Sequence, residues 1–213
     1  MTIIDNAVYV DGHRTAEPYN LEQTFETLAD HGGMAWIGLY RPTEAEMSAV
    51  AEEFGLHLLA VEDAISAHQR PKLERYDDVL FTVLRPARYL DETETVEFGE
   101  LHVFTGKNFV ITVRHAETAG VAQVRQRLES RPELLSHGPE AVLYALMDRV
   151  VDDYVPVVAG LENDIDEIED QLFSGDSAVS RRIALRSSIP PRRISWPRNT
   201  LSATVRSSTR SSS

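Results

Sequence analysis

Carboxylates are the chemically capable side chains that this sequence concentrates. Two adjoin at Glu62-Asp63, and a ladder of acids runs from Asp148 to Asp170. A hard dication such as Mg2+ keeps much of its water shell and binds proteins through one or two carboxylates. Such a site needs no dense motif, only oxygens brought close by folding. Taken by themselves, both sets read first as helix caps or as solvated helix faces. Other chemistries lack their residues. With no cysteine there is no disulfide framework, zinc-thiolate site or thiol nucleophile. His13, His31, His57, His68, His102, His115 and His137 form no HExxH pair. No GxSxG surrounds a nucleophile, and no GxGxxG follows a strand. Gly106-Lys107 lacks the upstream glycine and the following Ser or Thr of a phosphate loop, so it reads as a turn. The residues point away from an enzyme.

The net charge of −13 over 213 residues hides an asymmetry. Residues 180–213 hold eight arginines and no acid, which leaves residues 1–179 with 13 basic and 34 acidic side chains, a net of −21. A surface this acidic repels nucleic acid and anionic membrane and attracts cations, so no nucleic-acid partner is expected. At 42% hydrophobic residues the chain can bury a core. No stretch approaches the roughly 18–20 apolar residues of a membrane helix, and the N-terminus has neither a basic nor an apolar leader segment. The expectation is a soluble, cytoplasmic polypeptide in a reducing compartment.

These carboxylates must be positioned by a mixed α/β layer. Thr2–Val10 and Met34–Leu39 are apolar runs that end near turn signals. Thr43 with Glu46 forms a capping-box pattern that opens a helix through Phe54, which Gly55 closes. A short helix over Leu59–Ser66 carries Glu62 and Asp63. Val79–Leu84 and Thr95–Phe104 read as strands, and the turn at residues 105–108 joins the second to Phe109–Val113 in a hairpin. Residues 117–131 form an amphipathic helix through Val121, Val124 and Leu128.

The strongest periodicity begins near Pro139. Leu143, Met147, Val150, Tyr154, Val157, Leu161, Ile165, Ile168 and Leu172 lie on one stripe of a helix about 50 Å long. Pro156 interrupts its hydrogen bonding. A helix of this length calls for a partner helix, from later in the chain or from another subunit. Three regions follow: 1–135 as an αβα domain, 136–175 as the long helix, and 176–213 as a disordered Ser/Arg/Pro-rich tail. The change of character in that tail is abrupt enough to suggest a shifted reading frame. It also leaves open a stand-alone interaction protein whose basic tail touches nucleic acid or membrane.

Several ordered motifs resemble one family. Phe54-Gly-Leu-His57 leads to Leu59-Ala-Val-Glu62-Asp63-Ala, and then to His68-Gln-Arg-Pro-Lys72-Leu-Glu-Arg-Tyr76-Asp-Asp-Val-Leu-Phe81. Trp36-Ile-Gly-Leu39, Gly106-Lys-Asn-Phe-Val110, Tyr144-Ala-Leu-Met-Asp148 and Val151-Asp-Asp-Tyr154 stand in the same order. Over about residues 1–175 this is similar to the soluble domain of CorA-family magnesium and cobalt transporters. The resemblance implies an αβα sandwich with a mixed sheet, long helices leading to a stalk and two membrane helices, and a homopentamer in the cell membrane with this domain on the cytosolic side. It implies that weakly bound Mg2+, with Co2+ or another divalent cation as an alternative, is held between neighbouring soluble domains and keeps the pore closed. By motif position, Asp63 would be the principal metal-contacting carboxylate, with Glu62 and Asp148 forming a second site. The stalk helix, both membrane helices and the Gly-Met-Asn pore signature are not found in the sequence, so the expectation is a regulatory domain truncated before its pore and unable to conduct ions. Zinc-transporting relatives share the fold, so the ion stays open.

Overall fold

A computed structural model of the chain describes residues 3–66, 69–115 and 120–173. Its centre is a seven-stranded sheet. The strands are β1 (Ile3–Val10), β2 (His13–Ala16), β3 (Met34–Tyr40), β4 (Lys72–Tyr76), β5 (Val79–Leu84), β8 (Leu101–Thr105) and β9 (Phe109–Arg114). They lie in the order β2-β1-β3-β9-β8-β5-β4. The pair β3–β9 is parallel, with Ala35 opposite Phe109, and the other pairs are antiparallel, so the sheet is mixed. Strand β3 is buried from Met34 to Leu39 on both faces, as a central strand must be.

Alternate strand residues feed two cores. Val8, Ile37, Phe81, Phe104 and Ile111 join one core with α1 (Leu21–His31), α2 (Glu44–Phe54) and α3 (Leu58–Ser66). Tyr9, Trp36, Val103 and Val110 join the other with α4 (Val121–Glu129), α5 (Pro132–Leu135) and α6 (Pro139–Phe173). The result is helices on both faces of one sheet, the αβα sandwich expected from the resemblance.

The local signals hold in detail. Thr43 and Glu46 form both arms of the capping box, and Gly55 closes α2 in the left-handed conformation, φ 62° and ψ 39°. The turn after β8 is closed by the Gly106 N–H donating to the Phe109 carbonyl at 3.0 Å. Two differences stand out. Thr95–Phe104 is not one strand: β7 (Thr95–Phe98) leaves the main sheet and pairs with β6 (Ala87–Leu90) in a separate ribbon, with Leu90 opposite Thr95. The break falls at Gly99-Glu100, where the Gly99 N–H bonds the Pro86 carbonyl and Glu100 turns into a buried ionic cluster. The second is that the edges of the sheet, β2 and β4, are strands of four and five residues that the sequence reading did not mark, although β4 alternates in burial along its length. The region from 176 onward lies outside the described residues.

Residues Met1–Asp164 form one compact unit and Ile165–Ser213 another, whose described part is the C-terminal end of α6. Within the first unit, α6 is apolar over a wider arc than the core covers. Leu146, Val150 and Val157 are buried, whereas Tyr144, Val151 and Val155 are 72%, 67% and 68% exposed. Pro156 sits inside the helix without ending it. None of the described helices is long and apolar enough to cross a membrane.

The β6–β7 ribbon docks on α6 through Tyr89, whose hydroxyl donates to Asp164 at 2.7 Å. A Cβ at Gly160 would stand 2.6 Å from that ring. Gly160→Ala is therefore expected to displace the ring and lower stability by about 1–3 kcal/mol, despite the better helix propensity of alanine. Chemical denaturation with limited proteolysis of the 85–98 segment measures this; unchanged stability and cleavage would show that the contact contributes nothing.

Candidate functional site

Helix α3 begins at a histidine cap. The Leu59 N–H donates to His57 Nδ1 at 3.2 Å, and the Ala60 and Val61 N–H groups bond the His57 carbonyl. Ala60, Val61 and Ala64 face the core, which turns Glu62 fully outward and leaves Asp63 half-buried at the rim. Against this rim runs edge strand β4, where Lys72, Glu74 and Tyr76 share one face by the two-residue period.

The four side chains make a chain of contacts. Lys72 Nζ donates to Asp63 Oδ2 at 2.6 Å and to Glu74 Oε2 at 2.7 Å, and Tyr76 Oη donates to the same Glu74 oxygen at 2.9 Å. His57 stacks on the Tyr76 ring at 4.5 Å, and Lys72 lies 5.5 Å from the Phe81 ring centroid. Burial lowers the Lys72 pKa, but the hydrogen bonds to Asp63 and Glu74 outweigh it and hold the ammonium above its ordinary range. The bonds from Lys72 and then Tyr76 hold the Glu74 carboxyl below its own. Asp63 and Glu74 thus converge on one cation, and that cation is a lysine.

The other predicted residues stand apart from this cluster. Glu62, next to Asp63, makes no hydrogen bond or ion pair among the described residues. Asp148 lies on α6, in the helix layer on the opposite face of the sheet, where Arg127 donates to its Oδ2 at 3.2 Å. There it lines a cleft of about 450 Å³ with Arg131, His137 and Tyr144. Asp63 and Asp148 therefore do not meet within one chain. Sequence reasoning assigned no role to Lys72, Glu74 or Tyr76. The signal was the i, i+2, i+4 alternation of Lys72-Leu-Glu74-Arg-Tyr76 directly after an acid-bearing helix.

Among the described residues no three His, Asp or Glu side chains are grouped to cage a metal. The donor set is instead two carboxylate oxygens around a single cation position, partly open to solvent. That fits a hydrated Mg2+ bound through one or two carboxylates and its own waters.

A mixed sheet between two helix layers, with a long acidic helix in one of them, is the fold that positions these carboxylates. The chain belongs to the family described as CorA-like Mg2+ transporter protein, whose model matches residues 31–209. That family comprises transporters, not enzymes. The YfjQ protein of Bacillus subtilis, named for metal ion transport, is 38% identical over 135 residues, covering 63% of this chain and 41% of the relative. The cobalt/magnesium transport protein CorA of Thermotoga maritima is 29% identical over 185 residues, covering 83% of this chain and 52% of the relative. The chain thus spans about half or less of the length of these relatives. The solved soluble domain of CorA from Methanocaldococcus jannaschii superposes with a TM-score of 0.61 at 16% identity, over 86% of this chain and 71% of that one, a likeness of fold.

Proposed function

We propose that this domain is the metal-sensing, regulatory part of a CorA-like Mg2+/Co2+ transporter, placed on the cytosolic side of the membrane. Asp63 is its principal metal-contacting carboxylate. The observation that carries the reading is the Lys72 ammonium held between Asp63 and Glu74: the fold already draws carboxylates onto a cation at the rim of the domain. Asp63 and Asp148 belong to opposite helix layers, so a metal shared between their sites requires a second copy of the chain. A symmetric ring, such as the pentamer implied by the family, supplies that copy. A dication between facing carboxylates turns a repulsive boundary into an attractive one, and its loss restores the repulsion. The described part contributes sensing, and conduction belongs to other segments.

Titration of the purified chain with MgCl2, followed by thermal shift and calorimetry, tests this. At ten times Kd the stabilisation is about 1.4 kcal/mol, enough to raise Tm by a few degrees. Binding in the millimolar range is expected, with Asp63→Ala removing most of the shift. A chain whose Tm ignores both Mg2+ and Co2+ would not be a sensor.

A further inference from the structure

We infer that Lys72 is an intramolecular competitor for the cation position between Asp63 and Glu74, so that it sets the metal affinity of the site. The inference rests on reading Asp63 as the metal-contacting carboxylate and adds to it a residue that determines the threshold. The ammonium bonds Asp63 Oδ2 and Glu74 Oε2 at 2.6 and 2.7 Å, charge-assisted distances that leave no room for a metal on those two oxygens while the lysine is in place. A dication must therefore displace the lysine from at least one carboxylate. Displacement is feasible because Lys72 and Asp63 side chains are each about a quarter exposed, at 24% and 26%, and the four-carbon stem pivots freely. Glu74, at 42% exposed, offers the displaced ammonium a place to remain. Tyr76 donates to the same Glu74 oxygen and keeps that bond when the lysine moves, so the carboxylate does not need to follow the lysine.

The competition has a direction. With Lys72 present, Asp63 and Glu74 carry a net charge of −1 together with the ammonium; without it they carry −2. Removing one positive charge at contact distance is expected to tighten Mg2+ binding about ten-fold.

The test compares the wild-type chain with Lys72→Met, which keeps the apolar stem beside Phe81, and with Lys72→Arg, which keeps the charge. Mg2+ affinity is read by calorimetry. Lys72→Met should tighten it about ten-fold, Lys72→Arg should leave it at or below the wild-type value, and adding Glu74→Gln to Lys72→Met should reverse the gain. The chain has only two lysines, Lys72 and Lys107, so 15N-lysine NMR gives a second readout that needs no variant. The Lys72 ammonium signal should move as Mg2+ is added while that of Lys107, in the exposed turn after β8, stays put. Binding that is abolished by Asp63→Asn yet unchanged by Lys72→Met, with a stationary Lys72 signal, overturns the competitor and leaves Asp63 as the ligand. No binding to wild type, Lys72→Met or Lys72→Arg overturns both.

Discussion

Arg125→Met is expected to lower folding free energy by about 3 kcal/mol, seen as a reduced urea midpoint at unchanged m-value. Arg125 is almost fully buried beneath α4. Its Nη1 donates to Tyr9 Oη at 3.2 Å and its Nη2 to the Trp36 carbonyl at 3.2 Å. Its Nε pairs with Asp5 Oδ2 at 3.0 Å, and its plane lies 4.2 Å from the Trp36 ring centroid. One guanidinium thus ties α4 to β1 and β3 through four groups. Breaking a buried pair by removing one partner costs about 3–5 kcal/mol. The lower end applies here because Asp5 keeps Arg14 at 2.9 Å and Tyr9 keeps its bond to Glu129 at 2.6 Å. Arg125→Lys should recover only part of the loss, since an ammonium cannot fork to two acceptors while stacking on the indole. A loss below about 1 kcal/mol would mean that hydration of the arginine in the unfolded chain offsets its bonds.

That arginine shows where the sequence was legible and where it was not. In residues 117–131, Val121, Val124 and Leu128 announce a helix and its buried stripe, and all three are buried. Arg125 adjoins Val124 and reads as polar surface, because its partners lie on strands more than eighty residues away. The same holds at the candidate site. Glu62-Asp63 was visible as a pair of acids, and family motif order singled out Asp63. The lysine that neutralises it reaches it only because the edge strand β4 packs beside α3, a tertiary fact without local periodicity. Capping, turn and helix signals act within four residues and were readable: the box at Thr43, the turn at Gly106 and the 35-residue α6 all formed. The division of Thr95–Phe104 was missed. Gly99 inside the run was the one local signal, and its N–H turns to the Pro86 carbonyl where Glu100 enters the buried cluster.

Glu100→Gln is expected to cost about 2–3 kcal/mol at neutral pH and to shrink the acid limb of the stability profile. Glu100 is 6% exposed. Its Oε1 accepts from the Gln69 N–H at 3.1 Å and from His102 Nε2 at 2.6 Å, and its Oε2 accepts from Arg85 Nη1 at 3.0 Å. A glutamine presents an NH2 group to at least one of these donors. Burial raises the Glu100 pKa, but the bonds from His102 and Gln69 and the Arg85 charge outweigh it, so the folded value lies below the ordinary 4.5. The stability it contributes is full above pH 4.5 and is lost as pH falls through the lower folded value. His115, 5.5 Å from His102 between ring centroids and bonded to the Ala64 carbonyl at 2.7 Å, has its pKa pushed below 6.5 chiefly by burial. Its contribution is full above pH 6.5 and is lost as pH falls through its own lowered value. Acidification should therefore reduce Tm in two stages, and Glu100→Gln should shrink the lower while leaving the upper, with the share of Glu74 remaining. An unchanged lower stage would assign the acid limb to other carboxylates. The consequence reaches the cation position, because Glu100 holds Gln69 at the entry to β4, three residues before Lys72, and His115 holds the carbonyl next to Asp63. Protonation of Glu100 weakens its hold on Gln69 and so on Lys72, whereas a protonated His115 still donates from Nε2 to the Ala64 carbonyl, so Mg2+ binding should weaken only as pH falls through the lowered Glu100 value.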